Sequence, residues 1–262
     1  MQGAEPFTLL CCRDAAGVAE LVASRLLEAR QRWPQLPLGL ATGRTMEPVY
    51  AALQRQVARL DPPARQVLRE GWLSFNLDEY VGLAPRDPGS FAQAMAQALQ
   101  QPLGLAAEQV QLPDGLSPSP EAEALRYGAA LQASGGLGLQ VLGIGLNGHV
   151  GFNEPPCTAE LGCRPVELSA ATRLQNAAAF HGDPKAVPAE AITLGLVEIL
   201  AARELLLVAT GRSKAAVLHR LLSEDPSPQL PASWLRSHPR LTLVVDAAAL
   251  APGPVGPVVS ST

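Results

Sequence analysis

Short apolar runs alternate along this chain with longer stretches of helical period, and that alternation leaves few folds open to it. Phe7–Cys12 is apolar and reads as a buried strand. In Ala15–Trp33, apolar Val18, Leu21, Val22, Leu26 and Ala29 recur at helical spacing until Pro34 and Pro37 end the pattern. Leu38–Ala41 is the next strand, Glu47–Leu60 the next helix, and Ser74–Leu77 a third strand that stops at Asp78. Helices are expected over Ser90–Gln100, Pro120–Ala133 and Arg212–Leu222, and strands over Leu139–Leu142, Ala191–Leu196, Leu205–Thr210 and Leu241–Asp246. Strands separated by helices make parallel neighbours, and a parallel sheet needs cover on both faces.

The expected fold is therefore α/β: a three-layer Rossmann-like domain with a mainly parallel central sheet and helices on both faces. At 262 residues, one such domain accounts for 1–262, and no shift in composition marks a second. Leu112–Ser119 is a Pro/Gly/Ser-rich connection, the poorly periodic segment 159–188 is expected to be a mobile lid, and the tail Ala251–Thr262 is expected to fray. The net charge is −4 with no basic block, which argues against a nucleic-acid partner. No apolar stretch is long enough to span a bilayer, no signal peptide is evident, and the cysteines form no C-x-x-C pair. Reduced thiols and a cytoplasmic, membrane-free protein are the expectation.

Chemistry concentrates where strands end in glycine. Gly143–Pro155 packs Asn147, His149 and Glu154 into a glycine-rich turn after a strand, the position at which open α/β sheets bind ligands. A carboxylate five residues from a histidine can tune it as an acid or base. Gly143, Gly145 and Gly148 also satisfy G-x-G-x-x-G, but Pro155 and Pro156 follow too soon for the helix that a dinucleotide site requires. Thr42-Gly43-Arg44-Thr45 turns from a strand into a helix and offers amides, hydroxyls and a guanidinium to a phosphate. Asp78 and Glu79 stand where an apolar strand runs out; extended backbone sends them to opposite sides, so one enters a cleft. Lys214, after Gly211, lies at a helix start against the macrodipole preference, which points to a bound anion. His219 reads as a core histidine on an apolar helix face and His238 as part of a surface connection. No cluster has metal-ligand spacing, so no metal is expected.

Taken together, Leu38–Thr45, Phe75–Leu83, Gly143–Pro155 and Gly211–Ala215 resemble the glucosamine-6-phosphate deaminase (glucosamine-6-phosphate isomerase) family in order and content. The resemblance implies conversion of glucosamine 6-phosphate and water to fructose 6-phosphate and ammonia, without a cofactor. It implies that His149 opens the sugar ring, that Glu154 orients and polarises it, and that Asp78 moves a proton between C2 and C1. Asn147 takes a relay position where some members have Asp. Phosphate would lie at Thr42, Gly43, Arg44 and Thr45 with Lys214 as counter-charge, and Gly145 and Gly151 would line the sugar.

Three departures qualify that picture. Arg44-Thr45-Met46 replaces the usual phosphate-loop residues. Ala178, within a lid-like segment Thr172–Phe180, stands where a phosphate-binding arginine is usual, and Arg44 is expected to supply the lost charge. Arg164 matches an effector-pocket residue, but Val166 stands where a lysine is expected and the chain ends early. No activation by N-acetylglucosamine 6-phosphate is therefore expected, and the assembly is expected to be a monomer or small homo-oligomer. The rival enzymes are a 6-phosphogluconolactonase, against which Asn153-Glu154-Pro155 and Asn76–Leu83 speak, and a deaminase or isomerase of another amino-sugar phosphate, which the Ala178 departure leaves open. The rival without catalysis is a sugar-phosphate sensor, which would need a DNA-reading segment not seen before the first strand.

Overall fold

The computed structural model describes residues 7–251, so the tail beyond Ala251, where fraying was expected, lies outside the described residues. In chain order the strands are β1 (Phe7–Cys12), β2 (Leu38–Leu40), β3 (Ser74–Asn76), β4 (Asp78–Tyr80) and β5 (Val110–Gln111). They continue with β6 (Leu139–Gly143), β7 (Arg164–Glu167), β8 (Glu190–Thr193), β9 (Leu205–Ala209) and β10 (Leu241–Asp246). Seven of them form one sheet in the order β1-β10-β9-β6-β2-β3-β5, every pair parallel. The chain steps outward from β2 through β3 to β5, then returns to the other side of β2 with β6 and proceeds through β9 to β10. The order therefore reverses between β2 and β6, and a crevice opens at their carboxyl ends.

The helices are α1 (Ala15–Arg32), α2 (Glu47–Ala58), α3 (Pro62–Glu70), α4 (Phe91–Met95), α5 (Gln101–Leu103), α6 (Pro120–Ala133), α7 (Ala170–Asn176), α8 (Leu196–Leu200) and α9 (Ala215–Ser223). Asp14 starts α1 by accepting from the Gly17 N–H at 2.9 Å, and Val18, Ala19, Val22, Ala23, Leu26 and Ala29 turn one face into the core. The segment expected as one helix over Ser90–Gln100 is α4 followed by a π-turn, Ala96–Gln100. The helix expected over Arg212–Leu222 opens as a 3₁₀ turn, Arg212–Lys214, before α9.

Two expectations need correction. β1 is not buried on both faces: it is the edge of the sheet, and its residues alternate between exposed and half-buried. Ala191–Leu196 does not add to the parallel sheet. Its strand, β8, pairs antiparallel with β4 and β7 in a second, three-stranded sheet. The segment 159–188 is correspondingly ordered into β7, α7 and a 3₁₀ turn over Ala177–Phe180. Tyr80, Phe152, Leu168, Ala177, Val187 and Ala191 form a small core under it, apart from the large aliphatic core of the main sheet. Phe180 closes edge-on over Tyr80, with ring centroids 5.7 Å apart.

Candidate active site

The loop after β6 is a tight turn and starts no helix. The Gly145 N–H donates to the His149 carbonyl at 2.9 Å, and the Gly148 N–H donates to the Gly145 carbonyl at 3.0 Å. Gly148 holds φ 88°, which glycine alone adopts freely, and a Cβ on Gly145 would overlap the His149 ring. The backbone thus closes around the imidazole.

Asn147 sets the tautomer of that imidazole. Its Oδ1 lies 3.2 Å from the His149 backbone N–H and 2.6 Å from His149 Nδ1. A backbone amide can only donate, so the amide group must present its oxygen, and Nδ1 must then carry the proton. Nε2 is left as the acceptor. Burial holds the imidazole down, to about 4; Glu154 pulls it up and Lys214 pushes it further down. The ring is neutral at physiological pH and offers a base at Nε2.

Asp78 reaches the same place from the second sheet. It is buried, opens β4 opposite Thr193, and accepts no hydrogen bond at its carboxylate among the described residues. Its Oδ2 is 3.3 Å from where a Cβ would stand on Gly151, the residue two beyond His149. Burial, with the adjacent Glu79 adding to it, pushes the carboxyl up to about 8. Glu79 points away, as alternation requires. It accepts from the N–H groups of Tyr80 at 2.8 Å, Phe91 at 3.0 Å and Ala92 at 2.7 Å, and so ties the start of α4 to β4.

Glu154 makes no hydrogen bond to His149, so the direct orienting contact expected from sequence is absent. Its Oε2 accepts from the Ser169 N–H at 3.1 Å. Its Oε1 accepts from Ser169 Oγ at 3.1 Å and from the Thr172 hydroxyl. The carboxylate is engaged by the segment that carries α7.

The turn after β2 lies beside these groups. Gly43 has φ 106° and open space where a Cβ would be. Among the described residues the N–H groups of Gly43, Arg44 and Thr45 have no acceptor, and exposed Arg44 has no acidic partner. Lys214 Nζ donates at 2.6 Å to the carbonyl of Ile144, within the histidine loop. Burial lowers the Lys214 ammonium, and the nearby Arg44 guanidinium lowers it further. Two like charges drawn together beside unpaired amides suit a dianionic group. The Lys214 turn is itself held by buried Asp246, whose two oxygens accept from the Gly211 N–H at 3.0 Å each.

Asp78 thus approaches the histidine loop at Gly151, Asn147 holds His149, and Lys214 is bonded to the same loop at Ile144 with Arg44 near it. Sequence reasoning missed Asn153, Thr193, Ser169, Thr172 and Asp246 as supports. Fully buried Asn153 donates from Nδ2 to the carbonyls of Val150 and Leu194, each at 2.9 Å, and accepts from Arg164 Nη1 at 2.9 Å. Its place in a motif with Glu154 was the only signal available. The other histidines also need correction. His219 is exposed, because α9 buries Ala215, Val217, Leu218 and Leu221 instead. His238 is buried, with Nε2 2.9 Å from the Ala202 carbonyl and Nδ1 accepting from the Arg240 N–H at 3.1 Å. Among the described residues no group of three or more His, Cys, Asp or Glu is placed to hold a metal ion, and no helix is long and apolar enough to cross a membrane.

Comparison with known proteins bears on this crevice. A family model described as glucosamine-6-phosphate isomerases/6-phosphogluconolactonase matches residues 13–244. The chain is similar to a glucosamine-6-phosphate deaminase of Halalkalibacterium halodurans, 41% identical over 87% of this chain and 90% of the relative. It is 40% identical to that of Rhodopirellula baltica over 90% of this chain and 92% of the relative. Among solved structures, a monomeric glucosamine-6-phosphate deaminase superposes with a TM-score of 0.86 at 32% identity, covering 92% of this chain and 98% of its own. A 6-phosphogluconolactonase from Trypanosoma cruzi shares the fold at a TM-score of 0.71 and 19% identity, over 92% of this chain and 95% of its own.

Proposed function

The chain belongs to the glucosamine-6-phosphate isomerase/6-phosphogluconolactonase family, and we propose that within it the protein is a deaminase. It converts glucosamine 6-phosphate and water to fructose 6-phosphate and ammonia. The relatives near 40% identity are deaminases, while the lactonase lies at the distance of shared fold.

One observation carries the chemistry: a buried carboxylate, Asp78, unpartnered among the described residues, approaches Gly151, two residues beyond the neutral imidazole of His149 in the same loop. His149 Nε2 takes the anomeric hydroxyl proton and returns a proton to the ring oxygen, which opens the pyranose. Ionised Asp78 removes the proton at C2 of the open aldehyde while O1 takes a proton from the substrate's own 2-ammonium group, leaving a neutral enolamine. Protonated Asp78 then delivers that proton to C1, giving the C2 imine, which water hydrolyses to the ketose and ammonia. A carboxyl poised near neutral pH suits both halves of that transfer. Asn147 keeps the tautomer, and Glu154 supplies the negative charge that supports a transient imidazolium. The phosphate is held by Thr42, Gly43, Arg44 and Thr45 with Lys214, while Gly145 and Gly151 leave room for the sugar.

The partner is a small sugar phosphate, with neither nucleic acid nor membrane. The protein is cytoplasmic and a monomer or small homo-oligomer, and segment 159–188 covers the bound substrate. The test is ammonia and fructose 6-phosphate release from glucosamine 6-phosphate, with Asp78→Asn as control. Turnover by the wild type and not by the variant is expected. Hydrolysis of 6-phosphogluconolactone without ammonia release from the amino sugar would overturn the reading.

A further inference from the structure

We propose that Ser169 and Thr172 are positioning residues for Glu154, so that the segment carrying them sets the electrostatic surroundings of His149. The orientation of Glu154 is not fixed by its own loop. Both carboxylate oxygens are held by donors that lie 15 and 18 residues further along the chain. Ser169 acts twice: its N–H and Oγ donate to Glu154, and the same Oγ accepts from the Thr172 N–H at 3.2 Å. Thr172 is buried, so its hydroxyl has no competing solvent. Among the described residues no Lys or Arg pairs with Glu154.

The groups facing His149 make the consequence specific. Asn147 is neutral, Lys214 repels a proton on the ring with Arg44 behind it, and Glu154 alone favours the imidazolium. Each hydroxyl bound to Glu154 draws its negative charge away from the ring. The donors sit on a unit that packs through the Tyr80–Phe152–Phe180 cluster and is closed by Arg173, which donates to the carbonyls of Val187 and Lys185 at 3.1 Å. Moving that unit removes the donors and strengthens the attraction between Glu154 and His149. Substrate cover and histidine basicity are then one variable. The consequence for turnover rests on the deaminase reading; the coupling itself does not.

The experiment is a ¹⁵N NMR titration of the His149 ring in the intact protein without substrate, assigned with His149→Gln. Thr172→Val removes the hydroxyl at nearly constant volume, Thr172→Ser retains it, and Glu154→Gln removes the charge. Thr172→Val should raise the His149 midpoint by about half a pH unit, Thr172→Ser should leave it as in wild type, and Glu154→Gln should lower it. If Thr172→Val does not fold, Ser169→Ala should give the same upward shift. A folded Thr172→Val that melts lower yet titrates as wild type, or a Glu154→Gln that leaves the midpoint unmoved, would overturn the proposal. Failure of all variants and wild type alike to release ammonia would count against the deaminase reading and leave the titration result standing.

Discussion

Asp78, the proposed proton carrier, is a residue whose burial opposes folding once it ionises. Its carboxyl titrates near 3.8 when exposed and is raised to about 8 in the fold. Between those values the native protein keeps a proton that the unfolded chain has lost. Stability is therefore fully retained below about pH 4 and declines as pH rises through 8. Asp78→Asn removes that dependence. Its Tm should match the wild type near pH 4 and exceed it increasingly towards pH 8, with each kcal/mol worth about 2–4 °C in a chain of this size. Parallel melting curves across that range would refute the assignment. Asp78 was legible because an apolar strand stops at it. The burial of Glu79 on three amide donors was not, because two of those donors arrive from Phe91 and Ala92 through tertiary contact.

Turns after β2, β6 and β9 bring the remaining groups together, and they were the most legible part of the molecule. Each pairs an apolar strand with glycine, and the parallel order places all three at one edge. Elements without such a signature escaped. α3 buries no residue and so shows no apolar stripe, while β4 and β7 are three and four residues long, too short for alternation to register. The β2 turn carries a testable charge. Among the described residues Arg44 has no acidic partner, and it lies near Lys214, whereas exposed Ala178 has no side-chain donor to offer. Arg44→Ser should raise the KM for glucosamine 6-phosphate about tenfold or more, the worth of a charge-assisted hydrogen bond, with kcat nearly unchanged. An unaltered KM in steady-state kinetics would exclude Arg44 from the phosphate site.

At the scale of the whole molecule the proposed active site lies at a seam between two sheets: Asp78 opens a strand of the antiparallel one, and His149 sits in the loop that follows β6 of the parallel one. Asn153 fastens the seam, joining the histidine loop at Val150 to Leu194, just past β8, and to Arg164 on β7. Arg164 is thereby committed inward, also donating to the Gly162 carbonyl at 3.1 Å. With uncharged Val166 two residues on, where the family resemblance implies a lysine, no effector site for a second sugar phosphate is expected there. N-acetylglucosamine 6-phosphate should leave the substrate saturation curve unchanged, and a leftward shift in initial-rate assays would contradict this. The seam itself predicts a large effect far from any reacting atom. Asn153→Ala removes three buried side-chain hydrogen bonds, to Val150, Leu194 and Arg164, at a cost of about 3 kcal/mol, which corresponds to a Tm lower by about 6–12 °C. Because the lost bonds tie the histidine loop to the segment that follows β8, the strand paired with Asp78, kcat is expected to fall in the same variant at temperatures where it remains folded. A variant that melts early but turns over at the wild-type rate would mean that each sheet positions its own catalytic group without the other.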